Sequence, residues 1–205
     1  MPLSFRIMLT SAVLLLFACE NKDKSTKVTI EKSSVDTVGS SELMQNPYKE
    51  ITTSTGKTII LDESHPVGAS LSDFTVYFKG DTTTRLSLSD QDPMSSYLVA
   101  DLDGNGFEEL YIITSTAGSG SYGKICGFAS NNDLSFSFIY FPELTEKEIQ
   151  KGQPFDGYEG KDSFSIKGQR LVRSFQVNEA GEKKMKSIYY TLKKTEGGFS
   201  LVATP

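Results

Sequence analysis

The stretch Ile125–Phe141, ICGFASNNDLSFSFIYF, decides how the chain folds. Leu134, Phe136 and Phe138 alternate with small or polar residues, the period of two that marks a strand with one buried face. Asn131-Asn132-Asp133 is turn chemistry, because Asn and Asp tolerate left-handed backbone and hydrogen-bond their own main chain. The whole therefore reads as strand, turn, strand. That reading settles what precedes it, Thr114–Ile125, TSTAGSGSYGKI. Here Gly118, Gly120 and Gly123 satisfy G-x-G-x-x-G, and Gly118 through Lys124 satisfy the G-x-x-x-x-G-K part of a P-loop. Both patterns need a helix next, whose first N–H groups bind the phosphate. A strand comes next instead, and Ile125 stands where a magnesium-binding Ser or Thr belongs. No nucleotide is expected. The glycines suit the tip of a hairpin, where positive φ is needed and side chains would obstruct.

Working outward, the same period recurs. DFTVYFKG alternates around Phe74, Val76 and Phe78, and TRLSLSD around Leu86 and Leu88. SYLVADL, ELYIIT, DSFSIKG, RLVRSFQV, KSIYYTLKK and GFSLVAT are further strands, separated by Gly, Asn and Asp turn signals. One segment reads as helix: Thr145 and Glu148 have the spacing of a capping box, opening a short helix that ends near Gly152. Many short strands with one short helix predict an all-β domain, an antiparallel β-sandwich or barrel-like fold, over residues 48–205.

The N-terminus has a different character. Arg6 precedes an apolar run from Ile7 to Phe17, too short for a bilayer span and of the length of a signal-peptide core. The run ends in Leu16-Phe17-Ala18-Cys19, which resembles the lipobox of bacterial lipoproteins. That resemblance implies cleavage after a leader of residues 1–18, a lipid on Cys19, and a chain anchored to a membrane surface without spanning it. Residues 19–47 turn to Ser, Thr, Lys, Glu and Asn and read as a flexible tether, about 30 Å long as a random coil. With Cys19 lipidated, only Cys126 is left, so no intrachain disulfide forms. The expected location is the bacterial cell envelope, facing the periplasm or the cell surface. The net charge of −5 disfavours nucleic acid as a partner and attracts a basic one.

Just before the glycine loop stands ADLDGNGFEELYIIT. Asp101, Asp103, Asn105, Gly106 and Glu109 occupy positions 1, 3, 5, 6 and 9 of a D-x-D-x-[DN]-G-x-x-[DE] calcium loop. Alternate oxygen ligands around a glycine turn suit calcium, which takes six to eight oxygens in a flexible cage. The position-12 Glu of an EF-hand is replaced by Ile112. The same residues equally suit a turn whose Asp and Asn cap their own backbone without an ion.

Catalytic equipment is sparse. His65 is the single histidine, no G-x-S-x-G elbow is present, and one His with one free Cys cannot hold zinc. No enzyme is expected, and no cofactor is required beyond a possible calcium.

VADLDGNGFEELYIITSTAGSGSYGKICGF resembles the central segment of the periplasmic inhibitors of I-type (invertebrate-type) lysozyme. In that family an Asp-rich turn leads into a strand, with a Ser-Gly-x-Tyr motif after it. GYEGKDSFSIKGQRLVRSFQV is similar to the family's C-terminal part, and the likeness extends over roughly Gly68 to Val202. The resemblance implies a β-sandwich whose Ser119-Gly120-Ser121-Tyr122 loop enters the lysozyme cleft. Lysozyme being the protein partner, Ser119 and Tyr122 would meet the two carboxylates that flank the scissile bond. Related inhibitors add a basic contact from a second loop. Here the next turn, Asn131-Asn132-Asp133, has no Lys or Arg, and Lys124 is the nearest basic residue. The alternative expectation is a calcium-stabilised cell-envelope lipoprotein with an adhesive or scaffolding role.

Overall fold

The computed structural model describes residues 48–65, 70–81, 83–116 and 122–204. They form two sheets. The first has four antiparallel strands in sequence order: β1 (Tyr48–Thr52), β2 (Thr58–Ser64), β3 (Ser72–Phe78) and β4 (Leu86–Gln91). The second contains β5 (Met94–Ala100), β6 (Glu109–Ser115), β7 (Gly123–Asn131), β8 (Ser135–Tyr140), β9 (Ser163–Ile166), β10 (Leu171–Glu179), β11 (Glu182–Thr195) and β12 (Gly198–Thr204). Its order is β5-β6-β7-β8-β12-β11-β10-β9, and the end strands β5 and β9 approach one another, so the sheet curls into a nearly closed barrel. The expected all-β fold is the one observed. Every pairing is antiparallel except β12 with β8, where Phe199 pairs with Ile139.

The alternation in β3 explains the first layer. Phe74, Val76 and Phe78 are buried, and they pack with Ile59 and Leu61 of β2 against Leu110, Ile112, Cys126, Phe128 and Phe136 of the second sheet. The other face of the second sheet points into the curl. There Tyr111, Ile113, Ile125 and Ile139 meet Leu171, Tyr190, Leu192 and Leu201. Strand β6 is thus buried on both faces, which is why its Leu110–Ile113 run is continuously apolar rather than alternating. Each of these fully buried side chains contributes about 1.5–3 kcal/mol over its exposed state.

Four elements differ from the sequence reading. In β8, of the expected buried face only Phe136 is buried; Leu134 lies in the preceding turn and Phe138 is exposed. Strands β1 and β2 were not among the expected strands; they form a hairpin turning at Gly56 (φ 83°), with Thr53 N–H donating to Lys57 O at 2.8 Å. The helix expected from Thr145 does not form. Half of its capping box does: Glu148 Oε2 accepts from Thr145 N–H at 2.9 Å and from the Thr145 hydroxyl at 2.8 Å, while the Glu148 N–H donates to Thr145 O at 3.0 Å instead of to the hydroxyl. Beyond it, successive turns carry the chain to Phe155, which fills a small third cluster with Phe175 and Val177. A segment this short cannot repay helix nucleation, and Gly152 (φ 82°) with Pro154 just after it ends any propagation.

Candidate functional site

Strand β6 joins the two loops singled out by sequence, one at each end. Six residue steps separate Glu109 from Ser115, so the two ends of the strand lie about 20 Å apart.

At the C-terminal end, β6 and β7 run antiparallel up to the Ser115–Gly123 pair. The Thr116 N–H then donates to Tyr122 O at 3.2 Å. Lys124 lies within β7, so the glycine loop leads into a strand, as a nucleotide loop cannot. Ser119, Gly120 and Ser121 lie outside the described residues. Tyr122, at the mouth of the hairpin, is 48% exposed, and its ring rests against that of Tyr158 at 5.9 Å between centroids. Lys124 is exposed and pairs with Asp92 at 3.4 Å, a surface contact worth at most about 1 kcal/mol that leaves the ammonium free to change partner.

Beneath Tyr122 sits a buried polar network that sequence reasoning missed. Asp162 Oδ2 accepts from the Gly123 N–H at 3.0 Å and also from the Tyr158 hydroxyl. Asp162 Oδ1 accepts from Arg173 Nε at 2.8 Å, and Arg173 Nη2 donates to the Tyr158 oxygen at 3.1 Å. Both charges are almost wholly withdrawn from water: the side chains of Arg173 and Asp162 are 6% and 0% exposed. The rings of Phe141, Phe155, Tyr158, Phe164 and Phe175 surround the guanidinium, each within about 6 Å. Burial, together with the bond to Asp162 and its charge, raises the Tyr158 phenol well above its ordinary range, so it stays a donor. Gly123 is glycine for space. A Cβ there would stand 2.9 Å from both Asp162 Cβ and Phe164 Cε2. One sequence signal was available: Arg173 shares the parity of Leu171, Phe175 and Val177 in β10, and a charge on a core-facing parity must find a buried partner.

At the N-terminal end, the loop between β5 and β6 winds around Asp101. Its Oδ1 accepts from the N–H groups of Gly104 and Asn105 at 2.8 and 3.1 Å, and its Oδ2 from Gly106 N–H at 2.9 Å. Gly106 has φ 87°, which the wrap requires. Asp103 accepts from Asn105 N–H and Nδ2, both at 3.1 Å, while Asn105 Oδ1 accepts from Phe107 N–H at 2.7 Å. One oxygen from each of Asp101, Asp103 and Glu109 lies within 4.8 Å of the other two. Asn105 therefore turns its nitrogen to the cluster and its oxygen to the backbone. Glu109 shares the face of Tyr111 and Ile113, which points into the barrel, and it is fully buried. Its Oε2 accepts from Leu102 N–H at 2.7 Å and from the Tyr111 hydroxyl at 3.4 Å; its Oε1 has no partner. Burial pushes the Glu109 carboxyl up to about 8, against the pull of the Leu102 N–H, and the charges of Asp103 and Asp101 add to the rise.

His65 is not placed as a triad base. Ser72 Oγ, fully buried, donates to Glu63 Oε1 at 2.9 Å and lies 3.1 Å from His65 Nδ1. The serine thus sits between acid and imidazole, whereas a triad needs the imidazole in the middle. A hollow of about 700 Å³ between the 142–155 turns and β10–β12 is lined by Leu144, Phe155, Arg170, Arg173, Tyr189 and Thr204, none of them a residue singled out by sequence. Compared with protein-family models and with curated proteins, the chain matches none.

Proposed function

We propose that the chain is a proteinaceous inhibitor of lysozyme, of the I-type class, that protects the bacterial cell wall by inserting Ser119-Gly120-Ser121-Tyr122 into the active-site cleft. The observation that carries this reading is Tyr122. Its ring is half exposed at the mouth of the hairpin, while the backbone on either side is pinned, by Thr116 to its own carbonyl and by buried Asp162 to the next N–H. A loop held at its base loses less freedom on binding, and a rigid exposed Tyr is a favoured anchor at interfaces. In the cleft the Tyr122 phenol and Ser119 hydroxyl would exchange hydrogen bonds with the catalytic carboxylates, and Lys124 would add a cation beside them. Lipid on Cys19 and the 19–47 tether would hold the inhibitor at the envelope, where an attacking lysozyme arrives.

The test is a titration of the 205-residue chain into an invertebrate-type lysozyme clearing a cell-wall suspension, with chicken-type and goose-type enzymes in parallel. Stoichiometric loss of clearing by the invertebrate-type enzyme is expected. Folded protein that inhibits none of the three would overturn the reading.

A further inference from the structure

We propose that Asp101, Asp103 and Glu109 form a calcium site in which the buried Glu109 is the ligand supplied by the barrel. The loop alone would not require an ion. Its Asp101, Asp103 and Asn105 satisfy backbone N–H groups from Gly104 to Phe107, as a self-capped turn does. Such a turn needs only one oxygen of a third carboxylate, the Glu109 Oε2 that accepts from the Leu102 N–H. Yet Glu109 reaches it from β6, and it is fully buried with Oε1 unpartnered. A buried carboxylate oxygen without a partner is costly, and two more carboxylates within 4.8 Å raise that cost. Lys167, Arg170 and Lys193 line a hollow beside Asp103 without pairing with it. Among the described residues, none of the ion pairs involves Asp101, Asp103 or Glu109.

A hard divalent cation removes both penalties at once. The donor set is oxygen only, with no His or Cys in the group, which selects against zinc and copper. Each carboxylate oxygen carries two lone pairs, so those that already accept an N–H keep one for a metal. Three carboxylates on an irregular loop and a strand suit calcium, which accepts uneven cages completed by water and backbone oxygen. Magnesium demands a near-ideal octahedron and gives up its water reluctantly. The site lies at the end of β6 opposite Tyr122, so it is independent of the lysozyme reading.

Tyr111 supplies the readout, because its hydroxyl is 3.4 Å from Glu109 Oε2, close enough to sensitise a bound lanthanide. The 205-residue chain is titrated with terbium chloride under tyrosine excitation, and calcium or magnesium chloride is then added as competitor. Saturable emission is expected, displaced by calcium at least tenfold more effectively than by magnesium. Glu109→Gln and Asp103→Asn are each expected to weaken calcium competition tenfold or more. Asp103 is exposed, so its variant keeps the test open if Glu109→Gln misfolds. Absence of saturable emission from folded wild-type chain would overturn the proposal, as would unchanged binding in folded Asp103→Asn. Equal competition by magnesium would overturn the choice of calcium.

Discussion

Asp162→Ala is the substitution with the largest expected consequence outside the apolar core. It leaves the Arg173 guanidinium buried among five aromatic rings with no counter-charge. Removing one partner of a buried pair typically costs about 3–5 kcal/mol. The Gly123 N–H and the Tyr158 hydroxyl lose an acceptor as well, at about 1–3 kcal/mol apiece if water does not replace it. Water entering the gap left by the carboxylate offsets part of both, so a net loss of about 4–6 kcal/mol is expected. An exposed pair would cost about 0–1 kcal/mol, and the two cases separate cleanly. Urea unfolding monitored by far-UV circular dichroism gives the difference directly, because a domain of this size has about 5–15 kcal/mol to lose. A cycle with Arg173→Met tests the coupling. The single variants should each lose about 3 kcal/mol or more, and the double variant at least about 2 kcal/mol less than their sum. A loss below about 1 kcal/mol in Asp162→Ala, or strict additivity in the double variant, would refute the buried-pair account.

Tyr122→Ala should leave stability within about 1 kcal/mol, since the ring is half exposed, yet weaken lysozyme inhibition tenfold or more; full inhibition by this variant would remove Tyr122 from the site. Gly123→Ala should cost about 1–3 kcal/mol by driving a methyl into Asp162 and Phe164, with a lower melting temperature than Gly197→Ala, where a Cβ meets nothing within 4 Å; equal melting temperatures would contradict the close approach. Burial pushes the Cys126 thiol up to about 11 from 9.0. The unfolded chain therefore loses this proton first, and stability should fall as pH rises from about 9 through 11, by about 2 kcal/mol in all. In Cys126→Ala that part of the decline should vanish, and a pH profile identical to wild type would count against the buried thiol.

What could be read from the sequence was what is local in it. The acidic loop is contiguous, and its Asp, Asn and Gly spacing predicts the wrap around Asp101 that the structure contains. The alternation of Phe74, Val76 and Phe78 likewise marks a strand with one buried face. Strands β1 and β2 escaped because YKEIT is mostly polar and exposed, an edge strand, while Ile59-Ile60-Leu61 is a short apolar run without alternation. The capping-box spacing at Thr145 reads as the start of a helix, and the structure keeps only its Thr145–Glu148 side-chain bonds. It does not by itself make residues 149–155 helical, because a helix also needs length and an apolar stripe. The buried network was out of reach for a different reason. Asp162 meets Arg173 across the β9–β10 pairing, but Gly123 lies 39 residues away on β7, and only the curl of the second sheet brings it to Asp162.

Strand β6 explains why two such different loops can coexist. It is hydrogen-bonded along both edges, to β5 and β7, and packed on both faces, by the first cluster and by the barrel interior. A strand held on four sides has no room for a register shift, since a slip of one residue would exchange Leu110 and Ile112 with Tyr111 and Ile113 between the two cores. Each end is therefore presented at a fixed position by the most buried element of the fold. The two ends differ in what closes them. At the Ser115 end, Asp162 and Arg173 neutralise each other inside the protein and need nothing further. At the Glu109 end, three acids converge and none of them joins an ion pair among the described residues, which is the arrangement the proposed calcium ion would complete. The same strand thus carries one self-sufficient polar site beneath an exposed Tyr and one cluster of three acids at its other end. A calcium ion bound there would explain why a carboxylate occupies an interior-facing position where an aliphatic residue would pack at lower cost.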